Sequence, residues 1–149
     1  MNEATFKSQI DALYSGNGSH KNAVQRECYS KNGFMKIAGY LMDNERIEAV
    51  APIADNPIGW AKTKTSIMQN WYIILTNKRM IFASPTLILK ELTATSFSYS
   101  SLTSVAAGKW NSIKMTAQGY VGFISVVGTY LYYDQRDELI RIIQQHMYS

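Results

Sequence analysis

The chain has 149 residues, 46% apolar and 17% charged, which suits one globular domain and excludes a disordered chain. Lys+Arg number 15 against 11 for Asp+Glu, a formal +4, and the single cysteine, Cys28, excludes an internal disulfide. No apolar run approaches the ~20 residues of a membrane-spanning helix, and the opening MNEATFKSQIDAL lacks the basic and apolar regions of a signal peptide. A cytoplasmic protein is therefore expected.

Taken in chain order, the first signals are helical. Phe6, Ile10, Leu13 and Tyr14 form one stripe over residues 2–14, with Asn2 placed to cap it and SGNGS at 15–19 to end it. Ser19 opens a second helix to about Tyr29, sparse in apolar positions (Val24, Cys28). FMKIAGYL at 34–41 gives a third, short helical stretch. MDNE at 42–45 then reads as a turn.

From Arg46 the period changes to two. RIEAVAP predicts a strand ending near Pro52. A long connection runs from Ile53 to Asn70 and contains AKTKTSI, which alternates like a short strand. Trp71–Thr76 and Arg79–Ser84 predict a hairpin across Asn77-Lys78. TLILKEL (86–92), TSFSYSSL (95–102), TSVAAG (103–108), SIKMTA (112–117) and YVGFISVV (120–127) continue a meander. TYLYY at 129–133 is a last strand or the approach to a helix, and DQRDELIRIIQQHMYS is an amphipathic helix from Asp134. The order is helices, about seven strands, then one helix. A helical extension over 1–42 and one compact β-rich unit over 43–149 are expected.

The hairpin register follows from the two-residue loop. Leu75 faces Met80, Ile74 faces Ile81 and Ile73 faces Phe82. Leu75, Met80, Ile73, Phe82 and Trp71 then share a core face. Tyr72, Ile74 and Ile81 share the other, which is too apolar to be wet. The N-terminal helices or a second chain must cover them, so they are candidate partner-contact residues. Asn77 tolerates a positive φ better than Lys78 does, which favours a type I turn. Arg79, opposite Thr76, suits a carboxylate partner such as Glu45 or Glu48.

The excess positive charge lies between residues 46 and 110, with seven basic and three acidic groups. Such a field favours an anionic partner, although ordinary solubility charge is the commoner cause of a net charge this small. Lys62 and Lys64, beside Trp60, could meet anionic lipid from one side of an extended segment, with Lys78 as a further cation. A solvated strand is the plainer account of them. His20, Cys28 and His146 lack the paired spacing of a metal site, and Cys28 has no base placed to activate it. GKWNSIK at 108–114 is the nearest approach to a nucleic-acid platform, and a tryptophan in a β-turn explains it more simply. No catalytic constellation and no cofactor motif is present, so no enzyme is expected.

YIILTNKRMIFAS at 72–84 resembles the central signature of the bacterial pleckstrin-homology (PH) domains. FSYSSLTSV at 97–105 is similar to that family's aromatic-strand element, and DNERIEAV at 43–50 to the turn and strand that open its barrel. The resemblance covers about Asp43 to Met147. It implies a bent seven-stranded antiparallel barrel or sandwich capped by the C-terminal helix, a mostly β member of the α+β class. It departs from the bare module in the helical preface and in the length of the first connection. The expected function is a non-catalytic module acting through protein contacts, self-association included. The alternative is a peripheral membrane module reading anionic lipid through Lys62 and Lys64.

Overall fold

The structure, a computed structural model, describes residues 1–14, 19–54, 57, 70–85, 92–109, 111–120, 122–127 and 133–149. Asn2 caps the first helix as its position predicts, its Oδ1 accepting the Thr5 N–H at 2.8 Å. Helix α1 (Glu3–Tyr14) buries Phe6, Ile10 and Tyr14. Helix α2 (Ser19–Ser30) buries Val24 and Cys28, one turn apart. The third stretch is a 3₁₀ helix, Phe34–Tyr40, that buries Phe34, Ile37 and Ala38. Gly33 leads into it at φ 85, and a Cβ there would lie 3.0 Å from the Pro85 Cβ. Both the backbone angle and the space call for glycine.

Four strands form one antiparallel sheet in the order β1-β2-β3-β4: β1 (Ile47–Ile53), β2 (Trp71–Thr76), β3 (Arg79–Pro85) and β4 (Leu92–Ser98). A second antiparallel sheet has the order β5-β6-β7: β5 (Leu102–Ala107), β6 (Ser112–Ala117) and β7 (Ile124–Val127). Helix α3 (Tyr133–Met147) follows and packs on β5, β2 and β6. The hairpin register is the expected one, with Leu75 opposite Met80, Ile74 opposite Ile81 and Ile73 opposite Phe82.

The strand expected over 95–102 is broken. β4 stops at Ser98, a 3₁₀ turn spans Tyr99–Ser101, and β5 starts at Leu102 in the other sheet. Alternation continues through this corner, so the pattern could not show it. The corner is held by tertiary contacts: the Tyr99 hydroxyl donates to the Thr76 carbonyl at 2.6 Å, and its ring stacks on His146 at 4.4 Å. β7 is shorter than YVGFISVV suggested, because Gly122 at φ 105 bends the chain before Ile124. The expected strand AKTKTSI, residues 86–91 and 129–132 lie outside the described residues.

Two apolar layers result. Between the sheets, Phe82 meets Phe97 with ring centroids 6.1 Å apart, and Phe97 meets Tyr120 at 6.3 Å. Ile113, Met115, Ile124 and Val126 close this layer from the second sheet, and Leu139, Ile142 and Ile143 from α3. The second layer lies on the opposite face of β1–β3, under the N-terminal helices. Phe34 packs on Tyr72 at 4.9 Å and on Phe6 at 5.4 Å. Every residue of β2 is buried as a result. Burying side chains the size of Tyr72, Ile74 and Ile81 contributes about 1.5–3 kcal/mol each, enough to hold the preface against the sheet.

Candidate functional site

The opening residues of the hairpin do structural work. Neither Asn77 nor Lys78 takes a positive φ. Thr76 holds the turn instead, its Oγ1 accepting the Lys78 and Arg79 N–H groups at 3.1 Å each. The same hydroxyl donates to Glu45 Oε2 at 2.7 Å. Asn77 ties the turn to the start of β1: its Oδ1 accepts the Arg46 N–H at 2.7 Å and its N–H donates to the Arg46 carbonyl at 2.9 Å. Arg79 closes the network. Its Nη2 reaches Glu45 Oε1 at 2.8 Å and the Tyr40 carbonyl at 3.0 Å, and its Nε lies 3.2 Å from both Glu45 oxygens. The guanidinium also lies over the Tyr40 ring at 4.7 Å.

Of the two carboxylates anticipated for Arg79, Glu45 is the partner. Its side chain is 0% exposed. Burial pushes the Glu45 carboxyl up, but the Arg79 guanidinium, the Met42 N–H and the Thr76 hydroxyl together hold it below the ordinary value. Glu48 serves a different partner, with His146 Nε2 2.8 Å from its Oε1. Sequence reasoning did not single out this pair or the Tyr99 stack, because 98 residues separate Glu48 from His146.

Of the candidate lipid residues, Lys78 is exposed at the hairpin tip. Trp60, Lys62 and Lys64 lie outside the described residues.

The candidate partner-contact residues are buried. Tyr72, Ile74 and Ile81 are each 0% exposed, covered by the chain's own preface. Of the two covers anticipated, the N-terminal helices supply this one. A second chain meets these side chains only where that cover has left.

Sheet edges behave unequally. β1 is closed by α1: Gln9 Oε1 accepts the Ile47 N–H at 2.8 Å, and the Tyr14 hydroxyl donates to the Val50 carbonyl at 2.7 Å. On β7, the Ser125 N–H donates to the Pro57 carbonyl at 3.0 Å. Along β4 and β5, no main-chain partner lies on the outer edge among the described residues. From Leu92 to Gly108 the chain carries no charged side chain, and Thr93, Thr103, Ser104, Ala106 and Ala107 are exposed. Charge, proline and cover are the usual guards of an edge strand, and the first two are missing here.

Among the described residues no group of acidic, His and Cys side chains could hold a metal. A cleft of about 30 Å³ lies between α1, β1 and α3, beside Tyr14, Glu48, Gln135 and Glu138. It has room for about one water and none for a substrate. Cys28 is buried, and burial pushes its thiol far up, which leaves it a packing residue.

The family model described as bacterial PH domain matches residues 41–143. The chain belongs to the bacterial PH domain family. PH domains are a family of binding modules. Solved structures similar to this PH domain share its fold at low identity. The hSac2 domain of the human phosphoinositide phosphatase Sac2 matches at 14% identity and TM-score 0.52, covering 89% of this chain and 88% of that one. A pleckstrin homology domain from Shewanella amazonensis matches at 15% identity and TM-score 0.49, covering 76% and 94%. The C-terminal domain of a Leishmania infantum protein matches at 14% and 0.48, covering 86% and 98%. No curated protein matches the chain. The two antiparallel sheets and terminal helix are the architecture that the LTNKR signature implied. Among the described residues no helix of this PH domain is long and apolar enough to cross a membrane.

Proposed function

We propose that this PH domain is a non-catalytic module that works through protein contacts, self-association included, and that the surface it uses is the β4–β5 corner. One observation carries the reading. Two sheet edges are closed by Gln9, Tyr14 and Pro57, while the two that flank the Tyr99 corner are unpaired among the described residues and free of charge. An extended segment of another chain can continue either sheet there through main-chain hydrogen bonds. A second copy meets no like-charge repulsion at this edge.

Light scattering across a concentration series tests the proposal. The mass of the wild-type chain rises above the monomer value. A Thr93→Lys/Ala106→Lys variant, which places a cation on each edge, stays monomeric with an unchanged circular dichroism spectrum. A wild-type chain that is monomeric throughout removes self-association. An oligomer unaffected by both lysines removes the edges.

A second reading, anionic lipid, is favoured by the topology. β1 and β2, and β3 and β4, are joined at the same end of the four-stranded sheet. The sequence puts Lys62, Lys64 and Lys90 in those two connections. Sedimentation with phosphatidylserine-containing vesicles at low salt tests it. Absence of binding, or binding unchanged in Lys62→Ala/Lys64→Ala, rejects it.

A further inference from the structure

Helix α2 is attached differently from its neighbours. α1 is bonded to β1 through Gln9 and Tyr14, and the 3₁₀ helix to the sheet through Phe34 on Tyr72 and the Tyr40 carbonyl on Arg79. α2 presents Val24 and Cys28 as its buried side chains. Its Gln25 Nε2 and Tyr29 hydroxyl both donate to Asp11 Oδ1 of α1 at 2.8 Å, not to the sheet.

The surface beneath α2 carries an unmet group. The Tyr72 side chain is 0% exposed and its hydroxyl has no hydrogen-bond partner among the described residues. Tyr72 packs on Phe34 at 4.9 Å, Phe34 meets the Tyr29 ring of α2 at 5.8 Å, and Tyr72 pairs with Pro52 of β1, the strand on which α2 packs, which places it by the C-terminal half of α2. A buried donor without a partner forfeits the hydrogen bond that water would give it. The covered state therefore carries a penalty that the uncovered state lacks. Against it stand, among the described residues, the buried Val24 and Cys28, the Tyr29 ring edge-on to Phe34 at 5.8 Å, and bonds to Asp11, whose own side chain is 41% exposed in its pair with Lys7.

We propose that α2 is a displaceable cover: it leaves the domain as a unit while α1, the 3₁₀ helix and both sheets stay folded, and its departure opens the Tyr72 end of the sheet to solvent and to contact by another chain. This inference does not depend on the β4–β5 edges. It gives Tyr72 a conditional role in protein contact that the covered fold denies it. Ile74 and Ile81, further along the hairpin, stay under α1 and the 3₁₀ helix.

Cys28 is the only cysteine, so it reports the opening directly. The test is thiol labelling of the full chain under native conditions, alongside hydrogen exchange of the Ile74 and Ile81 amides. Cys28 labels about 100-fold or more faster than global unfolding allows, with a shallower urea dependence than the two amides. Equal opening equilibria and equal urea slopes for Cys28 and the amides would show that α2 leaves only when the whole domain unfolds, and would overturn the proposal. A Tyr72→Phe variant checks the cause. Without the hydroxyl the covered state loses its penalty, and labelling slows by roughly tenfold. Labelling at the wild-type rate or faster would mean that the hydroxyl imposes no penalty, and would refute the mechanism.

Discussion

Arg79→Met isolates the pair at the centre of the hairpin. The substitution keeps the length of the side chain and removes the guanidinium. Glu45 is left with the Thr76 hydroxyl and the Met42 N–H as partners, inside a site where its side chain has no exposed surface. Removing one member of a buried ion pair costs about 3–5 kcal/mol. Arg79 is 19% exposed, so water can reach part of the vacated space, and the loss falls at about 3 kcal/mol. For a domain of this size that corresponds to roughly 10 °C in Tm. Thermal and urea unfolding of the two proteins at pH 7, followed by circular dichroism, give the number.

The pH dependence supplies the sign. The folded-state value of Glu45 lies below the ordinary 4.5, so its contribution is present above that pH and is lost as pH falls through the folded value. In Arg79→Met the largest of the influences that lower it is gone while burial remains. The variant's carboxyl then rises, and protonation relieves it. The stability gap between wild type and variant must therefore narrow as pH drops below about 5. A Glu45→Gln/Arg79→Met double variant should cost about 2 kcal/mol less than the sum of the single changes. A gap under about 1 kcal/mol that stays flat from pH 7 to 4 would put the pair in the class of exposed salt bridges and refute the reasoning.

Removing residues 1–42 uncovers Tyr72, Ile74 and Ile81 together, and the remainder should associate or precipitate at concentrations well below those at which the full chain self-associates. A monodisperse monomer by light scattering would show that the sheet tolerates that face in water. Tyr14→Phe leaves the Val50 carbonyl without its donor and should cost about 1–2 kcal/mol in urea unfolding, against no change if water replaces the hydroxyl. Gly33→Ala forces a side chain into positive φ, 3.0 Å from the Pro85 Cβ, and should cost about 1–3 kcal/mol; a neutral result would mean that the turn relaxes freely.

How much was legible in the sequence depended on the range of the interaction. Periodicity located α1, α2 and the C-terminal helix, because each buries one face and the face repeats along the chain. The hairpin register followed from a two-residue loop, since pairing across a short turn admits few alternatives. The corner at Tyr99 was not legible. Phe97, Tyr99 and the surrounding serines alternate like a strand, and only the bond to Thr76 and the stack on His146 turn the chain into the second sheet.

The site divides the same way. The sequence by itself determined that Thr76, Asn77 and Arg79 make a braced turn and that Tyr72, Ile74 and Ile81 need a cover. Each is a matter of residue type and local spacing. Only the tertiary structure decided which carboxylate meets Arg79, because Glu45 and Glu48 differ by three positions and point to different partners. Only the tertiary structure decided that the cover is the chain's own preface. Those outcomes depend on where distant segments dock, and docking is set by the summed burial of many side chains rather than by any short run of them.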